Sequence, residues 1–333
     1  MLENKIRIAV LIALEEEFLE FQNHFEITKD YSSNNKLCFS HNAGSEEIEL
    51  ISILADNMGA SSARSSASYV IDTFAPNLIV VIGIAGAISS DFSVGDVCVS
   101  SEIIDIINNT KVSDKNGLPE IEFSPDIFPV SQQLITSFRF LKLHPTYRPK
   151  YETWQKEAEK RVKLMDLENE VKGSPMFELG PLVSGPVSGS SSYNKSIKKI
   201  DRKVSAIETE SGGVFQETTS AEIPGIAIRG ISDYADSEKN KLEERTKNNG
   251  RKIAMINACE LFKLQLENQE FLSVAKTHAT LQLNNDTKPS NWFRPQLEDQ
   301  NYDPRGSGPL EWNQVGRHEK PSDTDQANKW GNR

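Results

Sequence analysis

Acidic side chains follow three of the most apolar stretches of the sequence. Glu17 comes shortly after the run that ends at Leu14, Glu208 and Glu210 close the stretch VSAIETE, and Asp233 ends IAIRGISD. Carboxyl groups serve as general acids and general bases when their surroundings push their pKa values apart. An aspartate that ends an apolar strand is well placed to lose its hydration and to stay protonated. The pattern therefore predicts acid–base chemistry.

Strands that alternate with helices are the frame that must bring these carboxylates together. Continuous apolar runs predict strands covered on both faces at residues 5–14 and 77–88. Helical spacing is found between the strands, including a small-residue stretch over residues 59–74 and a last amphipathic helix at about 247–268. This alternation predicts an α/β fold with a mixed, mostly parallel central sheet flanked by helices. Because reactive groups gather at the carboxyl ends of such strands, we expect one shared site.

The apolar pattern weakens in the middle of the chain and is lost after residue 270. We interpret the middle segment, about residues 108–178, as an insertion that covers one edge of the sheet. Within it, the pattern predicts a loop and two helices, at residues 108–129, 130–143 and 151–172. Residues 271–333 are rich in Asn, Asp, Pro and Gly, which predicts a polar, disordered tail or linker. The expected organisation is one catalytic domain over residues 1–270 followed by that tail.

Composition excludes several classes of partner. Lys and Arg number 37 against 48 Asp and Glu, and the resulting net charge of −11 repels polyanions, so we expect no nucleic-acid partner. No stretch reaches the roughly 18 apolar residues of a membrane span, so we expect no membrane contact. The three cysteines have no metal-ligand spacing, which favours neither a disulfide framework nor a metal site. A reducing cytoplasm fits this composition.

Short motifs occur in an order that resembles a known enzyme family. They are ALEEE, GIAGAI followed by VGDV, LVSG, AIETES and IRGISDYAD. Together they resemble the nucleoside phosphorylase and nucleosidase superfamily, in particular its methylthioadenosine/S-adenosylhomocysteine nucleosidase branch, over roughly residues 5–268. The resemblance implies a three-layer nucleoside phosphorylase-like fold and hydrolysis of the bond between a purine and ribose. It further implies a small-molecule purine nucleoside or nucleotide as substrate, no cofactor, and a homo-oligomer, a dimer or larger.

The resemblance also implies a role for each acidic residue. Glu17 matches the general base that activates water, and Asp233, with Ser232 beside it, matches the general acid at N7 of the purine. Glu210 matches the carboxylate that holds the ribose hydroxyls, and Glu208 is placed next to the base pocket. Substrate contacts are further implied in the glycine-rich turn, at Gly83, Ala85 and Gly86. These roles fit the chemistry, because breaking the bond leaves positive charge on the sugar and negative charge on the base.

Three departures from the family pattern concern the substrate. After VSG, Pro186 stands where the family has an acidic residue and Ser188 where it has an aromatic residue, so stacking on the purine falls to Tyr193. Thr209 replaces the methionine that precedes the ribose-binding glutamate, which removes an apolar contact. Ile84 replaces a residue that carries a hydroxyl group in the family. These changes predict a substrate that is more polar than a thioether nucleoside.

Our hypothesis for this more polar substrate is a purine nucleotide. The Ser-rich loop over residues 184–192 opens a helix that carries Lys195. Backbone N–H groups, hydroxyls and a lysine in such a loop can hold a phosphate group. A charged 5′ group would also tolerate the loss of the apolar contact at Thr209.

Other interpretations of the same residues remain open. A phosphate-dependent phosphorylase needs cations near the sugar. Arg64 is the only nearby candidate in the sequence, which favours water over phosphate as the nucleophile. The chain could also be a non-catalytic nucleotide-sensing module, or a nucleotide-depleting effector in bacterial defence, with the insertion or tail contacting a partner or a fused domain. Residues 15–17 could simply be an acidic first helical turn, and Asp233 a cap at a strand end.

Overall fold

A computed structural model describes residues 5–286, except residues 34, 109–110, 116–117 and 188–189. The strands are β1 Ile6–Ile12, β2 Ile27–Asp30, β3 Cys38–His41, β4 Ile48–Leu54, β5 Leu78–Ala87, β6 Val97–Asp105, β7 Lys111–Lys115, β8 Leu118–Glu122, β9 Asp126–Pro129, β10 Phe177–Ser184, β11 Ala206–Glu208 and β12 Gly225–Asp233. The helices are α1 Glu15–His24, α2 Ala60–Phe74, α3 Gln132–Leu143, α4 Arg148–Leu164, α5 Ser191–Ile200, α6 Ser211–Ser220, α7 Lys239–Thr246, α8 Asn249–Leu266 and α9 Gln269–Asp286. The predicted α/β class is confirmed.

One mixed sheet forms the centre of the described chain. Its strand order is β11-β10-β6-β12-β5-β1-β4-β3-β2, and β9 pairs with β6. β5 is parallel to both of its neighbours β1 and β12, and all three are strongly apolar, as expected for strands covered on both faces. β11 pairs with β10 and also, in antiparallel fashion, with the end of β5, which partly closes the sheet. This closure brings the ends of β5, β11 and β12 together.

The middle segment contains more strand than its sequence predicts. The predicted loop over residues 108–129 is wrong in part, because β7 and β8 form a two-stranded antiparallel sheet and β9 pairs with β6. Since Asp126 pairs with Asp105 and Pro129 with Glu102, the main sheet supplies the hydrogen-bonding partner that the polar sequence alone does not reveal. The two predicted helices are present as α3 and α4. The interpretation of this segment as an insertion stays a prediction.

The C-terminal boundary lies later than the sequence predicts. Residues 271–286 were expected in the polar tail, but they belong to α9. Phe271 is buried with its ring against Phe138 and Phe262, and Leu272 is buried in the same core cluster. These few apolar side chains on a mostly polar helix hold it to the domain, which explains why average composition missed it. The remainder of the predicted tail lies outside the described residues.

Candidate active site

Glu17 is carried into the interior by the turn from β1 into α1. It is the third residue of the helix, and its side chain is only 3% exposed, whereas Glu15 and Glu16 face solvent. Its Oε1 accepts the N–H of Ile84 at 2.9 Å and its Oε2 accepts the N–H of Leu14 at 3.3 Å. The bond to Leu14 is the capping contact of a glutamate in a first helical turn, whereas the burial of Glu17 and its bond to Ile84 on β5 go beyond an acidic turn.

Burial sets the protonation of Glu17. Loss of hydration raises the pKa of this carboxyl to about 7, although the nearby Arg229 guanidinium and the N–H of Ile84 act in the opposite direction. A carboxylate with this pKa is ionised in part at neutral pH and binds a proton readily. These are the properties that a general base needs near physiological pH.

Arg229 lies at the centre of a cluster with Glu17, Glu208 and Glu210, and the sequence pattern did not identify it. It lies in the middle of β12, 1% exposed, and forms an ion pair with Glu208 and a second, at 3.5 Å, with Glu210. A Cβ atom at Gly83 would collide with this guanidinium and lie 3.0 Å from both Glu17 carboxylate oxygens, so a larger residue there would displace the guanidinium from the cluster. The available signal was an arginine inside the apolar run IAIRGISD, since a buried charge needs partners.

Glu208 and Glu210 both contact Arg229, so Glu208 belongs to the cluster at Gly83 and not to a position beside Asp233, although the resemblance places it next to the base pocket. Glu208 is buried and accepts the N–H groups of Glu210 at 3.0 Å and of Ser211 at 3.0 Å. Burial, and then repulsion from Glu210, raise the pKa of Glu208 against the attraction of Arg229. Glu210 accepts the N–H of Gly59 at 3.1 Å and the hydroxyl of Thr209. Thr209, where the family has methionine, thus gives Glu210 an additional hydrogen bond.

Asp233 lies at the end of β12 with its carboxylate fully enclosed. Its Oδ1 accepts the N–H of Ala235 at 2.8 Å, and its Oδ2 accepts the Ser232 hydroxyl at 2.8 Å. Lys239 Nζ, from the first residue of α7, is 3.2 Å from the same Oδ2. A Cβ atom at Gly86 would lie 2.8 Å from Asp233 Oδ1. The burial expected for Asp233 is present, whereas its three contacts, from Ser232, Ala235 and Lys239, are all donors to the carboxylate, so the expectation that it stays protonated remains a prediction.

The two acidic centres contact the same strand at different positions. Glu17 and Arg229 face β5 at Gly83, whereas Asp233 faces it at Gly86. Three residues along a strand correspond to about 10 Å. Because side chains alternate between the two faces of a strand, the Cβ positions of Gly83 and Gly86 point to opposite faces of β5, and the cavity of about 330 Å³ that borders Glu17 does not include Asp233 among its lining residues. The family resemblance would assign the sugar to the Gly83 position, called here the sugar end, and the base to the Gly86 position, called the base end.

The other predicted contacts have mixed outcomes. Ala85 is buried, and its carbonyl oxygen is 3.3 Å from the Ser232 hydroxyl, whose single proton is donated over the shorter distance to Asp233. Tyr193 is half-buried on α5 with its ring against Phe123, so stacking of Tyr193 on a purine stays a prediction. Ser188 lies outside the described residues.

Two cations proposed for anion binding lie away from the Glu17 end. Lys195 borders a cavity of about 340 Å³ together with Tyr234 and Asp236, which directly follow the base-end carboxylate. Arg64 Nε is 2.6 Å from the carboxylate of Glu217 on α6. Neither arrangement supplies an unpaired cation beside Glu17.

Three further properties concern the part of the chain that the structure describes. Among the residues that the structure describes, no group of three or more His, Cys, Asp or Glu side chains is arranged to hold a metal ion. Within the same ranges, no helix has the length and apolar character needed to cross a bilayer. Cys38, Cys98 and Cys259 are all buried and free.

Comparison with known proteins gives consistent results. The family model described as the phosphorylase superfamily matches residues 7–263. The 5′-methylthioadenosine/S-adenosylhomocysteine nucleosidase of Staphylococcus haemolyticus is 24% identical over 233 residues, which cover 69% of this chain and 88% of the relative. The nucleosidase of the same description from Staphylococcus carnosus is 24% identical over 234 residues, 70% of this chain and 89% of the relative.

Solved structures show the same fold. Futalosine hydrolase of Helicobacter pylori aligns with a TM-score of 0.55 at 16% identity, covering 80% of this chain and 97% of that one. The 5′-methylthioadenosine/S-adenosylhomocysteine nucleosidase of Neisseria meningitidis, in complex with methylthio-immucillin-A, aligns with a TM-score of 0.54 at 20% identity, covering 77% and 98%.

Proposed function

The chain belongs to the phosphorylase superfamily, and from that premise we propose that it is a nucleosidase, which hydrolyses the bond between a purine base and ribose. Two relatives, of which the alignments cover 88% and 89%, are described as 5′-methylthioadenosine/S-adenosylhomocysteine nucleosidases. The acidic residues that the family resemblance marks as catalytic both contact β5, Glu17 at Gly83 and Asp233 at Gly86. Their arrangement supports the same chemistry.

The sugar end would activate water. Glu17, with its pKa raised by burial to about 7, takes a proton from a water molecule, whose oxygen then attacks the anomeric carbon. Glu210 and Glu17 place negative charge near the sugar, where positive charge develops as the bond breaks. Arg229 holds Glu210 in place and limits the mutual repulsion of the buried carboxylates. A cavity of about 330 Å³ between α1 and α8 borders Glu17, so small molecules can approach this side.

The base end would assist departure of the purine. As the bond between the anomeric carbon and N9 breaks, its electron pair moves onto the base, and N7 needs a proton or a strong hydrogen bond. Asp233 is the acidic group at this end, and Ser232 fixes the orientation of its carboxyl. Asp233 therefore takes the part of the general acid.

One observation carries the proposal: Glu17 is a buried carboxylate beside Arg229, and Arg229 is also paired with Glu210. The test is release of free base from adenosine, inosine, guanosine, methylthioadenosine, AMP and ATP, each with and without phosphate. We expect base release from at least one purine nucleoside or nucleotide without phosphate. Absence of base from every compound would refute the nucleosidase proposal. Release that requires phosphate would favour a phosphorylase.

The pH dependence follows from the state of Glu17. The ionised form accepts a proton and the protonated form does not, so kcat/KM should rise with pH through about 7 and level off above it. The measurement is kcat/KM for the best substrate across a buffered pH series, with far-UV circular dichroism at each pH as a control for folding. A profile that stays flat as the folded protein is taken well below pH 7 would exclude Glu17 as the base.

Water is the proposed nucleophile because three carboxylates gather at the sugar end. Arg64, the candidate for holding phosphate, is already paired with Glu217. Arg229, inside the cluster, is committed to carboxylates, and Arg251, which borders the cavity beside Glu17, is paired with Glu16 and Glu243. Lys247 and Lys252 border the same cavity, so the phosphate arm of the substrate panel is the deciding test. A phosphate dianion placed among Glu17, Glu208 and Glu210 would itself be repelled by these carboxylates.

Finer statements about the substrate remain predictions. The nucleotide hypothesis used Lys195 as a phosphate contact, but this lysine lies at the base end, beside Asp236. Preference for AMP or ATP over methylthioadenosine in the panel would support the hypothesis, and the reverse preference would refute it. A role as a defence effector, location in the cytoplasm and assembly into a homo-oligomer also stay predictions.

A further inference from the structure

Lys239 makes an ion pair with the carboxylate at the base end. Its Nζ is 3.2 Å from Asp233 Oδ2, and the two side chains are 29% and 1% exposed. The Ser232 hydroxyl donates to the same oxygen at 2.8 Å, and the N–H of Ala235 donates to Oδ1 at 2.8 Å. The hydroxyl and the N–H are neutral donors. Among the described residues, Lys239 is the cation that is paired with this carboxylate.

The position of Lys239 opposes local helix preference. It is the first residue of α7, directly after the N-cap Glu238, and the partial positive charge of the helix N-terminus disfavours a cation at this position. Lys241, two residues later, instead pairs with Glu238 on the surface at 3.0 Å. A residue placed against local preference and facing a buried carboxylate is the kind of conflict found at functional sites.

We propose that Lys239 is a positioning residue that holds Asp233 for departure of the base and stabilises the carboxylate left when Asp233 gives up its proton. This inference rests on the proposed function. As the bond from the anomeric carbon to N9 breaks, the electron pair goes to the base and the proton of the Asp233 carboxyl goes to N7. The negative charge that returns to Asp233 then faces the Lys239 ammonium group, 3.2 Å away. Asp233 takes up a proton from solvent before the next turnover.

The geometry gives the lysine a second effect on orientation. Lys239 and Ser232 both bind Oδ2, which leaves Oδ1 on the side of β5, where a Cβ atom at Gly86 would be 2.8 Å away. The base end of the candidate site lies against this glycine. Losing the lysine should therefore disturb both the charge and the direction of the carboxyl.

The first test compares three variants on the best ordinary purine nucleoside. Lys239→Met should lower kcat by about 10- to 100-fold, less than the loss expected when a general acid itself is removed. The change in KM should be smaller. Lys239→Arg keeps the cation and should recover most of the loss. Lys241→Met, on the same helix and 68% exposed, is the matched control and should behave like wild type.

The second test asks whether Lys239 acts on departure of the purine base or only on the folded structure. An N7-methylated purine nucleoside loses a neutral base without protonation, so Lys239→Met should slow its cleavage less than about threefold. The riboside of 6-chloropurine, whose base leaves more easily, should show an intermediate penalty. This series remains informative even where the methyl group prevents binding of the first probe.

The outcomes are distinct. Equal slowing of all substrates by Lys239→Met would assign the lysine to folding alone and overturn the inference. Unchanged rates on the ordinary nucleoside would overturn it as well, while the nucleosidase proposal would stand. Failure of the wild-type protein to release base from any substrate would overturn the nucleosidase proposal itself.

Discussion

Replacement of Glu17 by glutamine should slow base release by about 10³-fold, within the range lost with a positioned general base. Glutamine has the same shape and can still accept one of the N–H groups that Glu17 binds, from Ile84 and Leu14. It cannot accept a proton from water, so the chemical step loses its base while the pocket keeps its form. The measurement is kcat for the best purine nucleoside, with the thermal unfolding midpoint of each protein recorded alongside.

Glu15→Gln is the matched control for this variant. Glu15 is in the same helical turn, and its replacement removes the same charge near the helix N-terminus. Its side chain, however, is exposed. We expect its kcat to remain within about twofold of wild type. If Glu17→Gln were as active as Glu15→Gln, Glu17 would not be the base, and the bland interpretation of residues 15–17 as an acidic helical turn would be sufficient.

Replacement of Arg229 by methionine should have the largest effect on folding. Arg229 is buried with Glu208 and Glu210, and Glu17 lies close enough to act on its charge. Breaking a buried ion pair from one side typically costs about 3–5 kcal/mol, because the remaining charges lose their compensation. We expect a loss of that size in the free energy of unfolding, measured by urea denaturation near neutral pH.

The surface pair of Arg64 and Glu217 provides the control for Arg229. The Arg64 side chain is 57% exposed, and exposed pairs contribute about 1 kcal/mol or less, so Arg64→Met should have a small effect. The penalty of Arg229→Met should also shrink at acid pH. The pKa values of Glu17 and Glu208 are raised, so these carboxyls become protonated as pH falls and then need no cation. Equal, small penalties for both arginine variants would contradict the role given to Arg229.

The strands that carry the candidate site could be predicted because their apolar runs are long. β1, β5 and β12 are buried on both faces, and this leaves a continuous apolar signal that few other structures produce. The carboxylates stand where those runs stop, and the ends of parallel strands share an edge. Glu17 and Asp233 were therefore predictable as site candidates from the pattern and the family resemblance together, although their catalytic roles await experiment.

The residues that were missed depend on contacts distant in sequence. Lys239 has several charged neighbours along the chain, and nothing local distinguishes it from Lys241 until α7 places it against Asp233. The edge strand β9 and the helix α9 have weak patterns of their own, and each is defined by a partner far away in sequence. Such elements take their structure from tertiary context, which a single sequence does not display.

The most direct test of the central claim is a crystal structure with a purine C-nucleoside, whose carbon–carbon bond to the base resists hydrolysis. We predict ribose hydroxyls within about 3 Å of Glu210, and N7 within about 3 Å of Asp233. The anomeric carbon should lie one water molecule away from Glu17. A ligand bound away from Gly83 and Gly86, or turned so that its base lies against Glu17, would contradict the account.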